Sequence, residues 1–563
     1  MPANDTKGPD YKSLGSPGKN GVDRRSEQKS LAPPKKQKDD LRNERLDNSG
    51  LKPSGNKRTE DTPNRATDSA GQPIGAEVSG SRSRSAEENA IEAVSPESGI
   101  QSGADRDVRD DVTSAERSRI AKREKQIAKD EKLLSGDNWL VRNGHSLTYA
   151  GLFAFSVLVL FRPYELIPQL GFLSSMAFYV AGATLAIYIP TQLATEGNLT
   201  MMSTEVKCIL VMTLLGIVTI FVSASPRLAF ETFNDIFIKA VLIFIVMANV
   251  VRTRKRLMGL ILLSLSIAVY LSYSAWSKYM AGVFTVEGYR VEVDIGGMFE
   301  NPNDMALHLV MMLPIAITLG IASKNYLLRA LYLSVAALFT AAIFVTYSRG
   351  GFLGLIAMSA VLVWKLSRGY RLNAMIISAI FGALTVLLAP GNYGIRILSI
   401  FIPSLDPVGS RGQRSELLWQ SILVSGRHPW GIGMGNFNII SIGHLGTHNA
   451  YTQVAAELGL LGLLAYLIFL VSPLRKLAAI ERARVTNDKT DWYYFLSIGM
   501  QASVVGFMVS SFFGAVAYNW YIYYAIAYAV AFRRIYMVET GLKDETGKSS
   551  LSNGLMGWSI RSA

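Results

Sequence analysis

Between two apolar segments, residues 390–449 read PGNYGIRILSIFIPSLDPVGSRGQRSELLWQSILVSGRHPWGIGMGNFNIISIGHLGTHN. The stretch is rich in Arg, His, Asn and Gly, whereas the chain on either side is built from long apolar runs. A polar loop of this length, hung between segments suited to lipid, decides the class. The pattern predicts an all-α polytopic membrane protein with its chemistry placed at a bilayer surface.

Crossing a hydrocarbon core about 30 Å thick takes roughly 20 mostly apolar residues. Twelve runs qualify, near 145–161, 171–189, 206–223, 235–251, 257–275, 304–322, 327–346, 351–366, 371–389, 450–471, 492–512 and 515–533. They define a twelve-span membrane domain over 140–535, which includes a large external catalytic loop at 390–449. Basic residues fall on alternate connections: Arg252 to Arg256, then Lys324 with Arg329, then Lys365, Arg368 and Arg371. The series continues with Arg475, Lys476, Arg482, Arg484 and Lys489, and ends on Arg533-Arg534. Cytoplasmic loops collect Lys and Arg, so the pattern predicts an even number of spans with both termini cytoplasmic.

Hydrophobic residues make up 49% of the chain even though a long polar tail dilutes them. Residues 1–139 hold hardly any aromatics and cannot bury enough apolar surface to offset ordering entropy, which predicts a disordered cytoplasmic tail. A charged helix over 115–134 is the alternative for part of it. The tail has no short apolar core with a cleavage site, and none of a signal peptide is expected. It is nearly neutral, so the net charge of +13 belongs to the membrane part. That argues against nucleic acid as a partner, for which a basic tail would carry the excess. Residues 536–563 read as a cytoplasmic C-terminal tail. Cys208 is the single cysteine and excludes an internal disulfide.

Several polar groups need explaining. Arg349, with Gly350 and Gly351, sits where one apolar run ends and the next begins. Its guanidinium suits phosphate oxygens, and a snorkelling helix-end Arg is the plainer alternative. Arg411 and Arg414 open an amphipathic stretch, Arg414 to Val424, and simple headgroup attraction would also account for them. His448 precedes a span, where it suits proton exchange near neutral pH or acts as a cap. His444 and His448 lack a nearby carboxylate or thiol, so no metal is expected. Gly431-x-Gly-x-Gly435 follows no strand-helix unit and does not read as a nucleotide loop. Lys239, about one turn inside the fourth expected span, is a functional candidate as an intramembrane charge, and an ion pair with Asp235, four residues earlier near the outer boundary, explains it almost as well.

Taken in order, several fragments resemble the O-antigen ligase and polysaccharide polymerase superfamily of bacterial inner membranes. They are Gly297-Met298-Phe299-Glu300-Asn301-Pro302-Asn303-Asp304 and Ser348-Arg349-Gly350-Gly351, then Arg414 with Trp419. His428-Pro429-Trp430-Gly431-Ile432-Gly433-Met434-Gly435-Asn436-Phe437, His448-Asn449-Ala450-Tyr451 and Glu457-Leu458-Gly459-Leu460-Leu461-Gly462 complete the set. The resemblance implies a fold similar to integral-membrane glycosyltransferases. It implies an undecaprenyl-diphosphate-linked glycan as donor, a lipid-linked repeat or lipid A core as acceptor, and no cofactor. Arg349 and Arg414 would hold the diphosphate and His448 would be the catalytic histidine. Arg411 is a second candidate for the role of Arg414, and Asn449, Asn303, Asp304, Arg290 and Glu457 are implied substrate contacts. The tail is a candidate for recruiting a cytoplasmic partner, and membrane lipids are the remaining partner. A transporter or flippase of a lipid-linked or anionic solute is the alternative function; a non-catalytic scaffold is the third.

Overall fold

The computed structural model describes residues 139–541, apart from 287, 294, 297, 298, 300, 368, 369, 389–393, 395–409 and 486–489. Expectations for the two tails and for the first third of the 390–449 loop lie outside these residues. The described chain is helical throughout, with one isolated bridge between Val286 and Arg290.

Fourteen helices organise it. They are α1 (Trp139–Ser156, continued by a π turn to Phe161), α2 (Leu173–Glu196), α3 (Thr204–Val222), α4 (Pro226–Val250) and α5 (Arg254–Met280). Next come α6 (Pro302–Ala322), α7 (Tyr326–Val345), α8 (Arg349–Leu366) and α9 (Arg371–Leu388). The last five are α10 (Ser410–Arg427), α11 (Ala450–Glu457), α12 (Gly459–Ala483), α13 (Trp492–Ser510) and α14 (Trp520–Thr540). Among the described residues, ten helices are long and apolar enough to cross a membrane. Two further expected spans, α9 and α14, are helical over the expected ranges but fall outside that class. In α14 the cause is visible in its residues, five tyrosines with Arg533, Arg534 and Glu539.

Helices α6 and α13 pack on each other at the centre, with α8, α7 and α12 around them. At one end of the bundle, ion pairs tie the helix ends together. Arg252 and Arg534 both reach Glu196 at 2.7 Å, Lys476 reaches the buried Glu205 at 3.0 Å, and Lys365 reaches Glu481 at 2.6 Å. The basic clusters read from the loops thus share one end. The connections at the other end carry the candidate site: Arg290 meets Thr346 there, and the described residues of 428–449 lead into α11.

The expected span 450–471 is interrupted. The chain breaks after Glu457, so α11 and α12 are separate helices joined at Leu458. The Pro429–Gly433 strand of the polar loop lies against this break, backbone to backbone. Ile432 N donates to Ala456 O at 2.9 Å, Gly433 N to Glu457 O at 3.0 Å, and Leu460 N to Pro429 O at 2.9 Å. Gly431 (φ 92°) and Gly459 (φ 79°) face each other across this contact. A Cβ on Gly431 would lie 2.5 Å from Glu457 O, and one on Gly459 would lie 2.4 Å from Pro429 O. Both conformation and space therefore require glycine. Gly459→Ala should destabilise the protein by more than about 2 kcal/mol, since left-handed strain alone costs 1–2 kcal/mol. Gly426→Ala, in the open last turn of α10, should be tolerated or stabilise by up to about 0.5–1 kcal/mol. Thermal melting in detergent compares the two, and equal behaviour would show that the contact is not a constraint.

Candidate functional site

The N-terminus of α8 is built first by Ser348. Its Oγ caps the helix by accepting from Gly351 N at 3.2 Å. Ser510 Oγ donates to Gly350 O at 3.1 Å, which ties this turn to the end of α13. Added side chains would not fit: a Cβ on Gly351 would stand 2.7 Å from the Ala306 methyl of α6. Arg349 is thus the first residue of a helix whose end is pressed against α6 and the 510–513 turn, preceded by Tyr347 at φ 52°.

Arg290 joins this turn to the start of α6. It is 3% exposed, donates through Nε to Thr346 O at 2.9 Å, and through Nη2 to Asn303 Oδ1 at 2.8 Å. Two expected substrate contacts, Arg290 and Asn303, are therefore brought together behind the Arg349 turn. Asp304, the next residue of α6, accepts from the Tyr521 hydroxyl of α14 at 3.3 Å. One turn deeper, the His308 ring packs against Phe299, tilted by 51° with centroids 4.9 Å apart, and lies 6.3 Å from the Tyr521 ring. Neither His308 nor Tyr521 was singled out by the sequence; both are hidden within apolar runs that read only as spans.

The second half of the site hangs on α10, which runs over the stretch expected to be amphipathic and beyond it at both ends. Leu417, Ser421 and Ser425 form its buried face, and Leu417 packs with Ile432, Phe437 and Ala456. Arg414 lies about one turn before Leu417 on this face. Arg411 is in the same first turn, and its side-chain surroundings are outside the described residues. His448 sits at φ 50° immediately before α11. Burial, and then the neighbouring Arg414 guanidinium, hold its imidazole below the usual histidine range, in the neutral form. Asn449 caps α11, accepting from Tyr451 N at 2.9 Å and Thr452 N at 3.1 Å. Its buried Nδ2 has no hydrogen-bond partner among the described residues. The Tyr451 hydroxyl donates to Met508 O at 2.6 Å, so α11 and the Arg349 turn flank the same 508–513 segment. His444 is exposed, with Nδ1 3.2 Å from Asn438 O.

Glu457 closes α11 at 2% exposure. Its carboxyl faces the Gly435 and Phe437 N–H groups and the Tyr518 hydroxyl, although that hydroxyl completes no bond of normal geometry. Tyr518 was also missed by sequence reasoning. The Gly431–Gly435 stretch is backbone packing against α11, and the nucleotide-loop reading has no counterpart here.

Residues 334–467 match the family described as O-antigen ligase. Over this stretch the chain is similar to the O-antigen ligase family, which supports the resemblance read from the sequence. The match contains Arg349, Arg414, His448, Asn449 and Glu457, and excludes Arg290, Asn303 and Asp304. No curated protein matches the chain. With its many apolar helices, this makes the protein a multi-pass membrane enzyme of the glycan-transferring ligase or polymerase kind.

Burial raises the Glu457 carboxyl from 4.5 to about 7, against the opposing hydrogen bonds. The folded state therefore holds an extra proton between these values, and stability declines as pH rises through that window. The gap corresponds to roughly 3 kcal/mol as an upper figure. Glu457→Gln keeps the acceptor and removes the charge, so its melting temperature should vary less between pH 5 and pH 8 than that of the parent. Equal softening of both proteins would assign the pH dependence to another group.

Proposed function

We propose that the protein passes a glycan from an undecaprenyl-diphosphate carrier to an acceptor sugar at the outer face of the bacterial inner membrane, without a divalent cation. The observation that carries this reading is geometric: the helix begun by His448-Asn449 and the turn that carries Arg349 are both bonded to the 508–513 segment, and Arg414 lies near the buried His448. The acceptor hydroxyl oxygen attacks the anomeric carbon while the bond from that carbon to the diphosphate oxygen breaks. His448, neutral and buried, takes the hydroxyl proton. Charge that appears on the diphosphate is met by Arg349 and Arg414, which stand in for a metal ion. The N-terminus of α8 adds its partial positive charge next to Arg349.

Orientation follows from the cations. The ionic end gathers the basic loop residues, which supports a cytoplasmic placement for it and an external one for the site. Described helices join most of the site directly and form no large separate domain at that end. This favours a polymerase of an exported polysaccharide, with a second lipid-linked repeat as acceptor, over a ligase acting on lipid A core.

Purified protein in nanodiscs, given a single lipid-linked repeat unit with EDTA present, should build a ladder of longer glycans on a gel. His448→Ala should lower the rate by at least about 10²-fold and Arg349→Ala by about 10²–10³-fold. Normal product from His448→Ala would remove it from the mechanism. Arg414→Gln should also move the acidic limb of the rate profile to higher pH at saturating donor, because the guanidinium holds the His448 value down. A limb that stays in place would separate the two residues. Product only with a core oligosaccharide would assign ligase activity, and silence with every acceptor would favour transport.

A further inference from the structure

A cavity of about 600 Å³ opens between α1, α2 and α4, in the part of the chain that precedes the family match. Its walls are apolar, including Leu152, Phe155, Ala181, Leu185 and Leu242. On α2 the lining runs from Ser174 to Leu185, twelve residues whose eleven rises of about 1.5 Å span roughly 16 Å. That is about half of a 30 Å hydrocarbon core, the depth of one leaflet. The rim is polar and carries Arg162, Asn234 and Lys239.

The rim is continuous with the candidate site. Arg162 pairs with Glu165 at 2.9 Å, and Glu165 accepts from Gly296 N at 2.8 Å, which fixes the segment leading into α6. Phe299 lines the cavity and also packs against the His308 ring. Trp520 also lines it, anchored through Nε1 to Ile236 O at 3.0 Å, and its neighbour Tyr521 holds Asp304. Lys239 approaches Asp235 only to 3.6 Å and is 45% exposed, so its ammonium is able to turn to another anion.

We propose that this groove seats the isoprenoid chain of the acceptor, a second lipid-linked repeat, with its phosphate at the Lys239 and Arg162 rim and its sugar directed towards Asp304, while the donor diphosphate stays with Arg349 and Arg414. The proposal rests on the transfer reading above, and deepens it by naming where the lipid lies. An apolar groove in a membrane always contacts lipid, and the rim acids Glu165 and Asp235 offset the rim cations. Selectivity therefore comes from short-range contact with the headgroup and from groove shape.

The test needs no transfer. A polyprenyl monophosphate bearing a diazirine and no sugar is added to full-length protein in phosphatidylglycerol nanodiscs, and labelled peptides are mapped. Label should concentrate on 174–185 and 238–246 and be displaced by unlabelled polyprenyl phosphate but not by added phosphatidylglycerol. A Cβ at Gly182 meets no atom within 4 Å, so Gly182→Leu grows into the groove without displacing protein atoms. It should lower labelling at least fivefold, whereas Leu214→Trp on the lipid-facing side of α3 should not. Lys239→Gln should weaken labelling by the phosphate and leave labelling by the uncharged polyprenol unchanged. Label spread evenly over the bundle, displacement by phosphatidylglycerol, or unchanged labelling of Gly182→Leu would each overturn the proposal. Groove labelling without glycan transfer would sustain the proposal and remove the transfer reading; transfer with label elsewhere would do the reverse.

Discussion

The structure depends on the contact between the Pro429–Gly433 backbone and the break at Leu458. A helix interrupted inside a membrane protein leaves N–H and C=O groups that lipid cannot satisfy. Here the polar loop supplies the missing partners, and three hydrogen bonds link residues 429–433 to 456–460. The glycines at 431 and 459 are what allow two backbones to come this close. Because the break is satisfied in this way, α11 ends at Glu457 and α12 begins anew at Gly459. Ala456, in the last turn of α11, then joins Ile432, Phe437 and Leu417 in one small core, with His448 and Asn449 at the start of the same helix.

The same contact explains why buried charge is tolerated at this end. Glu457 faces two backbone N–H groups that the glycine loop presents to it, and burial raises its carboxyl to about 7, so that neutral and charged forms are comparably populated near neutral pH. Arg290, almost as deeply buried, meets a carbonyl and an amide oxygen. Each polar group anchors a different segment, so the helix ends that carry Arg349, Asp304 and His448 are held by hydrogen bonds as well as by packing. At the opposite end, Glu196, Glu205 and Glu481 do the corresponding work with basic partners.

Apolar run length made most of the fold legible. The helices containing 206–223, 257–275 and 304–322 needed nothing more, since any segment of that length and composition must form its backbone hydrogen bonds internally. The break in 450–471 was not legible, because Gly459 reads equally as a tolerated helix glycine, and only the partner backbone 30 residues earlier reveals its left-handed conformation. The site was legible where polar residues interrupt apolar runs, as with Arg349 and His448. It was hidden where tyrosines belong to a run: Tyr518 and Tyr521 show their roles only through Glu457 and Asp304, which arrive from other helices.

Among the described residues, four that are not glycine hold a left-handed backbone: Arg162, Tyr347, His444 and His448. Such conformations cost of order 1–3 kcal/mol each and persist only where surrounding contacts over-determine them. Tyr347 directly precedes the capped turn of Arg349, and His448 directly precedes the Asn449 cap. A residue in this conformation reverses the chain at once, so the following helix starts without an intervening loop and its first side chain is fixed by the helix itself. Arg162 does the same at the rim of the groove, where it ends the π turn of α1 and meets Glu165. Three of the four strained positions thus adjoin the proposed site or the groove, and the helices that start or end beside them hold the conformation in place.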